Sequence, residues 1–198
     1  MNENNATKKK SQSGTELLYD LIEQFAIVSA IVLVMFAFVV RLNIVDGSSM
    51  DKTLAHGQNL AVSGLFYEPK AGDIVVIHDV TAKPYDLPIV KRVIATAGQT
   101  VDIKFSYDNW TLIVDGKIVD ESAYRFVNER EPLLRAEYNF PITVPEGEIF
   151  VLGDNRNGSA DSRQREIGTI DTRCVVGRAI ARISPLDKIT VFTDPYKK

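Results

Sequence analysis

Three short stretches of this chain carry residues whose types suit nucleophilic chemistry. They are Gly47-Ser48-Ser49-Met50-Asp51-Lys52-Thr53-Leu54, Pro88-Ile89-Val90-Lys91-Arg92-Val93-Ile94, and Gly153-Asp154-Asn155-Arg156-Asn157-Gly158-Ser159-Ala160-Asp161-Ser162-Arg163. A serine hydroxyl is a poor nucleophile until a neighbouring base takes its proton. By position alone Ser48 and Ser49 are equivalent candidates. Histidine is the commonest base, and the chain has two, His56 beside Gly57 and His78 before Asp79. Neither lies in a glycine-rich turn or another catalytic setting, so both read as surface histidines. A Ser-His-Asp triad therefore has no motif behind it.

Lysine serves as a base only when its amine is neutral near operating pH, which desolvation achieves by disfavouring the ammonium form. On a strand, Lys91 shares a face with the apolar, β-branched Ile89 and Val93, and burying it unpaired is costly unless it neutralises. The same pattern allows Lys91 to point outward from an edge strand, where lysine guards against aggregation. Arg92 faces the other way and stays charged. By composition the third stretch reads as a solvated loop rich in turn formers. The functional reading is a rigid polar scaffold in which Asp161 and Arg163 pair and Ser159 hydrogen-bonds a neutral lysine amine.

The elements that must position these groups begin with an apolar run. Phe25 to Val40 contains sixteen residues with only Ser29 polar and no charge. As a helix it spans about 24 Å, which Leu21, Ile22 and Leu42 can extend toward a roughly 30 Å hydrocarbon layer. It is apolar on every face, unlike a soluble amphipathic helix. The preceding tail is long and partly acidic, and no small-x-small site follows, so the run reads as an uncleaved anchor rather than a removable leader. Lys8, Lys9 and Lys10 favour a cytoplasmic N-terminus, against Arg41 and Lys52 on the other flank. The division is a polar tail over 1–20, a transmembrane anchor over 21–42 and one domain over 43–198.

Beyond the anchor the pattern turns to short strand-like runs: Ile74–His78, Ile89–Ala95, Val101–Phe105, Thr111–Val114, Lys117–Val119, Glu148–Leu152, Val175–Ile183 and Ile189–Phe192. Asp115-Gly116 between two of them predicts a two-residue hairpin turn. Residues Glu121–Arg135 read as a short helical piece or, more readily, an excursion. The fold expected is mainly β, an antiparallel sheet domain behind one N-terminal helix. A net charge of −3 shows no basic excess for nucleic acid. One cysteine, Cys174, in an apolar run reads as a small buried hydrophobe, and it leaves with two separated histidines no zinc-ligand spacing. Neither metal nor cofactor is expected.

In this order, anchor, serine box, Gly72-Asp73-Ile74-Val75-Val76, lysine box and Gly-Asp-Asn-Arg-x-x-Ser-x-Asp-Ser-Arg, the chain resembles the type I signal peptidases, particularly the compact Gram-positive form with one N-terminal anchor. The resemblance implies that Ser49, directly before Met50, is the nucleophile and Ser48 is not, and that Lys91 is the general base. It implies that Ser159 hydrogen-bonds the lysine and that Asp161 and Arg163 brace the site. The implied fold is an antiparallel β structure at the outer membrane surface, near the secretion machinery. Its substrates would be exported preproteins with small residues at −3 and −1 of the signal peptide. Gly47, Ser48, Met50, Pro88, Ile89 and Val90 are the candidate oxyanion and substrate-binding residues.

There are departures. Lys52 stands where the family usually has proline, Ala95-Thr96-Ala97-Gly98-Gln99 replaces the commoner Gly-x-Pro-Gly-Asp, and Asn157-Gly158 replaces Asp-Asn. Gly47 stands where Gram-negative members carry a serine that helps the oxyanion hole, leaving the Ser49 backbone N–H and other local donors. Two alternatives remain. Self-cleaving SOS repressors share Ser-Lys chemistry but carry a DNA-binding module where this chain has its apolar run. An inactive membrane-anchored binding or scaffold relative has Lys52 and the altered lysine-box tail as its support.

Overall fold

A computed structural model of the chain describes residues 14–78, 87–106, 109–127, 137 and 139–196. The chain divides into two compact units, one holding the N-terminal helix and the other beginning at Val39. Helix α1, Gly14–Val39, extends further toward the N-terminus than the apolar run alone requires. Its stretch Gly14–Val34 holds an 18-residue window of mean hydropathy 2.0, and the helix is long and apolar enough to cross a membrane. Leu42 does not extend it, because Arg41–Ile44 form strand β1. Of the polar tail expected over 1–20, residues 1–13 lie outside the described residues.

The second unit holds two antiparallel sheets. The larger uses β1, β2 (Asn59–Ser63), β3 (Ile74–Ile77), β4 (Ile89–Thr96), β9 (Glu148–Leu152), β10 (Ile170–Asp171), β11 (Val175–Arg182) and β12 (Thr190–Val191). Its order is β1-β2-β11-β3-β4-β9-β10, with β12 beside β11. The smaller sheet, β7-β6-β5-β8, uses β5 (Thr100–Ser106), β6 (Asn109–Val114), β7 (Lys117–Ile118) and β8 (Ile142–Thr143). The turn between β6 and β7 places Asp115 at φ +49° and Gly116 at φ +74°, the left-handed pair of a tight hairpin. The strands β1, β2, β8 and β10 have no run of alternating apolar residues long enough to announce them.

The sheet positions the chemistry because β4 lies inside it, hydrogen-bonded to β3 on one side and β9 on the other. Successive β9 residues face different cores. Ile149 and Val151 pack with Val75, Ile77, Val93 and Ile170. Phe150 and Leu152 pack with Ile94, Val101, Trp110 and Leu112. A further cluster joins Val45, Met50, Leu54, Leu60, Val62, Ile74, Val76 and Val90. Strands apolar on both faces, such as Ile74-Val75-Val76-Ile77, fit only in a sheet covered on both sides. Cys174 is half-buried and packs against the cluster around Val93.

Candidate functional site

The serine box is hung on the core by two side chains. Met50 is 1% exposed and Leu54 0%, both in the cluster that also holds Val90. Between them the backbone coils through Asp51 N–H to Ser48 O and Leu54 N–H to Met50 O. This geometry separates the two serines. Ser48 is exposed, whereas Ser49 is half-buried and its Oγ lies 2.9 Å from Lys91 Nζ. Gly47 sits at φ +83°, a conformation that costs glycine little. Its own N–H is spent on His56 Nδ1 at 3.2 Å.

Lys91 lies across from Val75 on β3, and its side chain is 4% exposed. It is therefore an interior lysine and not the outward-pointing residue of an edge strand. Its amine donates to Val90 O at 3.2 Å. Burial pushes the amine down to about 8; the Asp161 carboxylate resists this shift, Arg163 adds to it and Asp154 opposes it. A substantial neutral fraction at mildly alkaline pH is what a general base needs.

Residues 153–163 are buried apart from the half-buried Gly158 and Ala160, which overturns the solvated-loop reading. Asp154, Arg156, Asp161 and Ser162 are each 0% exposed. Arg163 grips Asp161 through Nε at 2.7 Å and Nη2 at 2.8 Å, and Gly153 N–H donates to the same carboxylate at 3.0 Å. Burial alone would raise the Asp161 carboxyl, but Arg163, the Gly153 N–H and Lys91 hold it below its ordinary value. Ser162 Oγ accepts from Val151 N–H, fastening the loop to β9. Arg156 pairs with Glu121 at 2.5 Å, and the Arg156 and Arg163 guanidiniums lie 4.9 and 5.2 Å from the Trp110 ring centroid. The smaller sheet thus forms a platform for the polar box.

Ser159 is placed differently from expectation. It is 1% exposed, but its hydroxyl donates to Ala160 O at 3.4 Å and not to Lys91. A Cβ added at Gly153 would lie 2.2 Å from Ser159 Oγ and 2.5 Å from Ser49 O. Bare backbone at position 153 is what lets Ser159 and the serine box close on each other. Met50 and Val90 are 1% and 7% exposed, and their side chains pack in the core cluster with Leu54 and Val76. Pro88 is exposed and Ile89 half-buried where β4 begins.

Several supporting residues were not anticipated. Arg92 is 4% exposed and makes a two-pronged contact with Asp154, through Nε at 2.8 Å and Nη2 at 2.7 Å. Thr53 Oγ1 donates to that carboxylate at 2.6 Å, tying the serine box to β4. Asn155 holds the backbone of Ser48 and Ser49. The signal for Asp154 was its place in the polar box beside an arginine on an apolar strand; Glu121 and Trp110 are too distant in sequence to leave one. The excursion joins in at Phe126, whose N–H donates to Asp154 O, while Lys52 sits 4.4 Å from its ring centroid. Residues 128–135 of that excursion lie outside the described residues.

The signal peptidase family, peptidase S26, matches residues 18–184. The chain is 36% identical over 191 residues to signal peptidase I of Bacillus licheniformis, covering 92% of this chain and 97% of the relative. It is 34% identical over 182 residues to signal peptidase I T of Bacillus subtilis (strain 168), covering 88% and 89%. A crystal structure of a signal peptidase I from Enterococcus faecalis V583 shares 32% identity, with a TM-score of 0.43 over 57% of this chain and 97% of that one.

Proposed function

We propose a mechanism for this chain, which belongs to the signal peptidase family, peptidase S26, as a bacterial type I signal peptidase and hence a hydrolase. It removes N-terminal signal peptides from exported preproteins with Ser49 as nucleophile and Lys91 as general base. The observation that carries this reading is the 2.9 Å approach of Lys91 Nζ to Ser49 Oγ in a setting that desolvates the amine.

The substrate's cleavage region lies extended beside the start of β4 near Pro88 and Ile89, pairing backbone to backbone as an added strand. Alternate side chains then point the same way, which accounts for small residues at −3 and −1. Ser49 Oγ attacks the scissile carbonyl while Lys91 accepts the hydroxyl proton. The oxyanion is received by the Ser49 N–H. Lys91 returns its proton to the departing amine, leaving an ester on Ser49. Water then attacks this ester, giving a proton to Lys91, which passes it to Ser49 Oγ as the ester bond breaks; the signal peptide's new carboxyl group loses its proton to solvent, leaving Ser49 and neutral Lys91 restored. Asp161 and Arg163 hold residues 153–163 against the dyad.

Helix α1 anchors the enzyme in the membrane with its N-terminus cytoplasmic and the β unit outside, beside the site where preproteins emerge. Its length, its hydropathy and its exposed Leu21, Phe25, Val28 and Leu33 support that role. Positioning then contributes to selectivity.

The test is cleavage of a preprotein by the detergent-solubilised full chain. Ser49→Ala and Lys91→Met abolish cleavage, and full activity in either sinks the dyad. The double variant His56→Ala, His78→Ala is nearly silent; a collapse there revives a histidine base. Labelling of Ser49 by a serine-reactive acylating probe separates an enzyme from an inactive scaffold.

A further inference from the structure

Asn155 is 2% exposed and holds two consecutive peptide units of the nucleophile loop. Its backbone N–H donates to Ser49 O at 3.0 Å, and its side-chain Nδ2 donates to Ser48 O at 3.1 Å. The amide orientation follows from chemistry, since the reverse assignment would face two oxygens at each other. The chain around Asn155 is itself fixed. Phe126 pairs with it as a parallel bridge, Phe126 N–H donates to Asp154 O, and Arg156 N–H donates to Phe126 O, both at 2.8 Å.

The carbonyl of Ser48 and the N–H of Ser49 belong to one planar, trans peptide, so they point in opposite directions. Whatever holds that oxygen aims that N–H. Among the described residues the Ser49 N–H has no acceptor, while Ser48 O receives both Asn155 Nδ2 and the Asp51 N–H at 3.0 Å. A second observation concerns the other end of the amide: Asn155 Oδ1 is buried without a hydrogen-bond partner. An unpaired buried amide oxygen costs stability, so an apolar side chain of the same branching would suit the fold better. The amide is explained by what its Nδ2 does.

We propose that Asn155 is a positioning residue for the oxyanion donor: by gripping Ser48 O it orients and polarises the Ser49 N–H. This rests on the reading of Ser49 as nucleophile. Asn155 touches no reacting atom, and it acts only through the 48–49 peptide. Because Ser48 O keeps its bond from Asp51, removing the side-chain donor leaves no orphaned carbonyl. With only the Asp51 N–H left on Ser48 O, the donor's aim is loosened while the fold is kept.

The experiment uses the detergent-solubilised full chain as wild type, Asn155→Leu, Asn155→Ala and Ser49→Ala. Two substrate-like peptides of one sequence serve as probes. One ends in an aldehyde, which forms a tetrahedral adduct with the serine, and the other carries a reduced CH2–NH scissile bond with no carbonyl. We expect Asn155→Leu and Asn155→Ala to lower kcat about 10- to 100-fold, in line with loss of one oxyanion donor or somewhat less. KM and the alkaline pH limb stay put, aldehyde affinity falls with kcat, and the reduced peptide binds as to wild type. Asn155→Leu should unfold at or above the wild-type temperature, so stability and activity move in opposite directions. Unchanged kcat, or equal losses for both peptides, overturns the proposal. Ser49→Ala that still cleaves, or still binds the aldehyde as wild type does, overturns the dyad instead.

Discussion

Lys91 and Arg92 are neighbours on β4, each 4% exposed, and only one of them has a carboxylate. Arg92 crosses to Asp154 with two short hydrogen bonds. Among the described residues no ion pair reaches Lys91, whose contacts are Ser49 Oγ and Val90 O. One strand therefore buries two cations under opposite rules. The arginine stays charged because it is paired, and the lysine is pushed toward neutrality because it is not.

The first consequence is in the pH profile of cleavage. Activity should rise through an apparent pKa near 8, the value to which burial lowers the Lys91 amine. Lys91→Arg, always charged, should lose ~10²–10⁴-fold, the usual worth of general base catalysis. Asp161→Asn removes the carboxylate that holds the Lys91 pKa up, so whatever activity survives should show its rising limb at lower pH. Rates measured with a preprotein from pH 6 to 10 check all three, and a limb governed by a group near pH 6 contradicts the assignment.

The same lysine is a stability cost. Its folded pKa, about 8, lies below the ordinary 10.5, so between these values the unfolded chain binds the proton more readily. Stability from this group is complete above pH 10.5 and is lost as pH falls to about 8. The gap corresponds to roughly 3 kcal/mol at neutral pH, before the lost hydrogen bonds are set against it. Lys91→Met should therefore be more stable than wild type at pH 7, with the advantage vanishing near pH 10.5. Denaturant titration followed by the fluorescence of Trp110, the single tryptophan, reads this directly.

Arg92 and Asp154 should behave in the opposite way. Removing one partner leaves a buried charge uncompensated, worth about 3–5 kcal/mol. Asp154→Ala also strands the Thr53 hydroxyl, which ties the serine box to β4. It should lose stability and kcat together, and in the folded fraction its pH limb should fall below 8, because Asp154 is one of the carboxylates that hold the Lys91 amine up. Arg92→Lys keeps the charge but forfeits the two-pronged contact, so it should fall between wild type and Asp154→Ala in a thermal melt.

The large features of this design were readable from residue order. Apolar strands with period-two or continuous patterns announced β3, β4, β9 and β11, and Asp115-Gly116 announced its hairpin. The choice between Ser48 and Ser49 was not readable from local pattern, because it depends on how Met50 and Leu54 pin the loop to a distant core. Whether Lys91 pointed in or out was equally hidden, since one strand cannot reveal that β3 and β9 flank it. The polar box misled for a physical reason. Asp, Asn, Ser and Gly are turn formers in water, and only the long-range partners Arg92, Glu121 and Trp110 make burying them tolerable.

Gly153 ties these threads together, because two parts of the site meet across its missing side chain. A Cβ there would sit 2.4 Å from Ser159 Cβ and 2.5 Å from Ser49 O, closer than real contacts allow. Neither neighbour is a flexible tip: one is a β-carbon on a buried loop and the other is the backbone of Ser49. Gly153→Ala must therefore push Ser49 away from Lys91, separate residues 153–163 from the serine box, or both. A misplacement near 1 Å costs about 10²-fold in rate. Gly153→Ala should lower kcat by at least that factor, and Ser159→Ala alone should be much milder because its Cβ stays within the same space. Combining Gly153→Ala with Ser159→Gly removes one of the two clashes and should recover part of the loss. Measured kcat values in which the double variant is no better than Gly153→Ala would place the decisive clash at the Ser49 carbonyl.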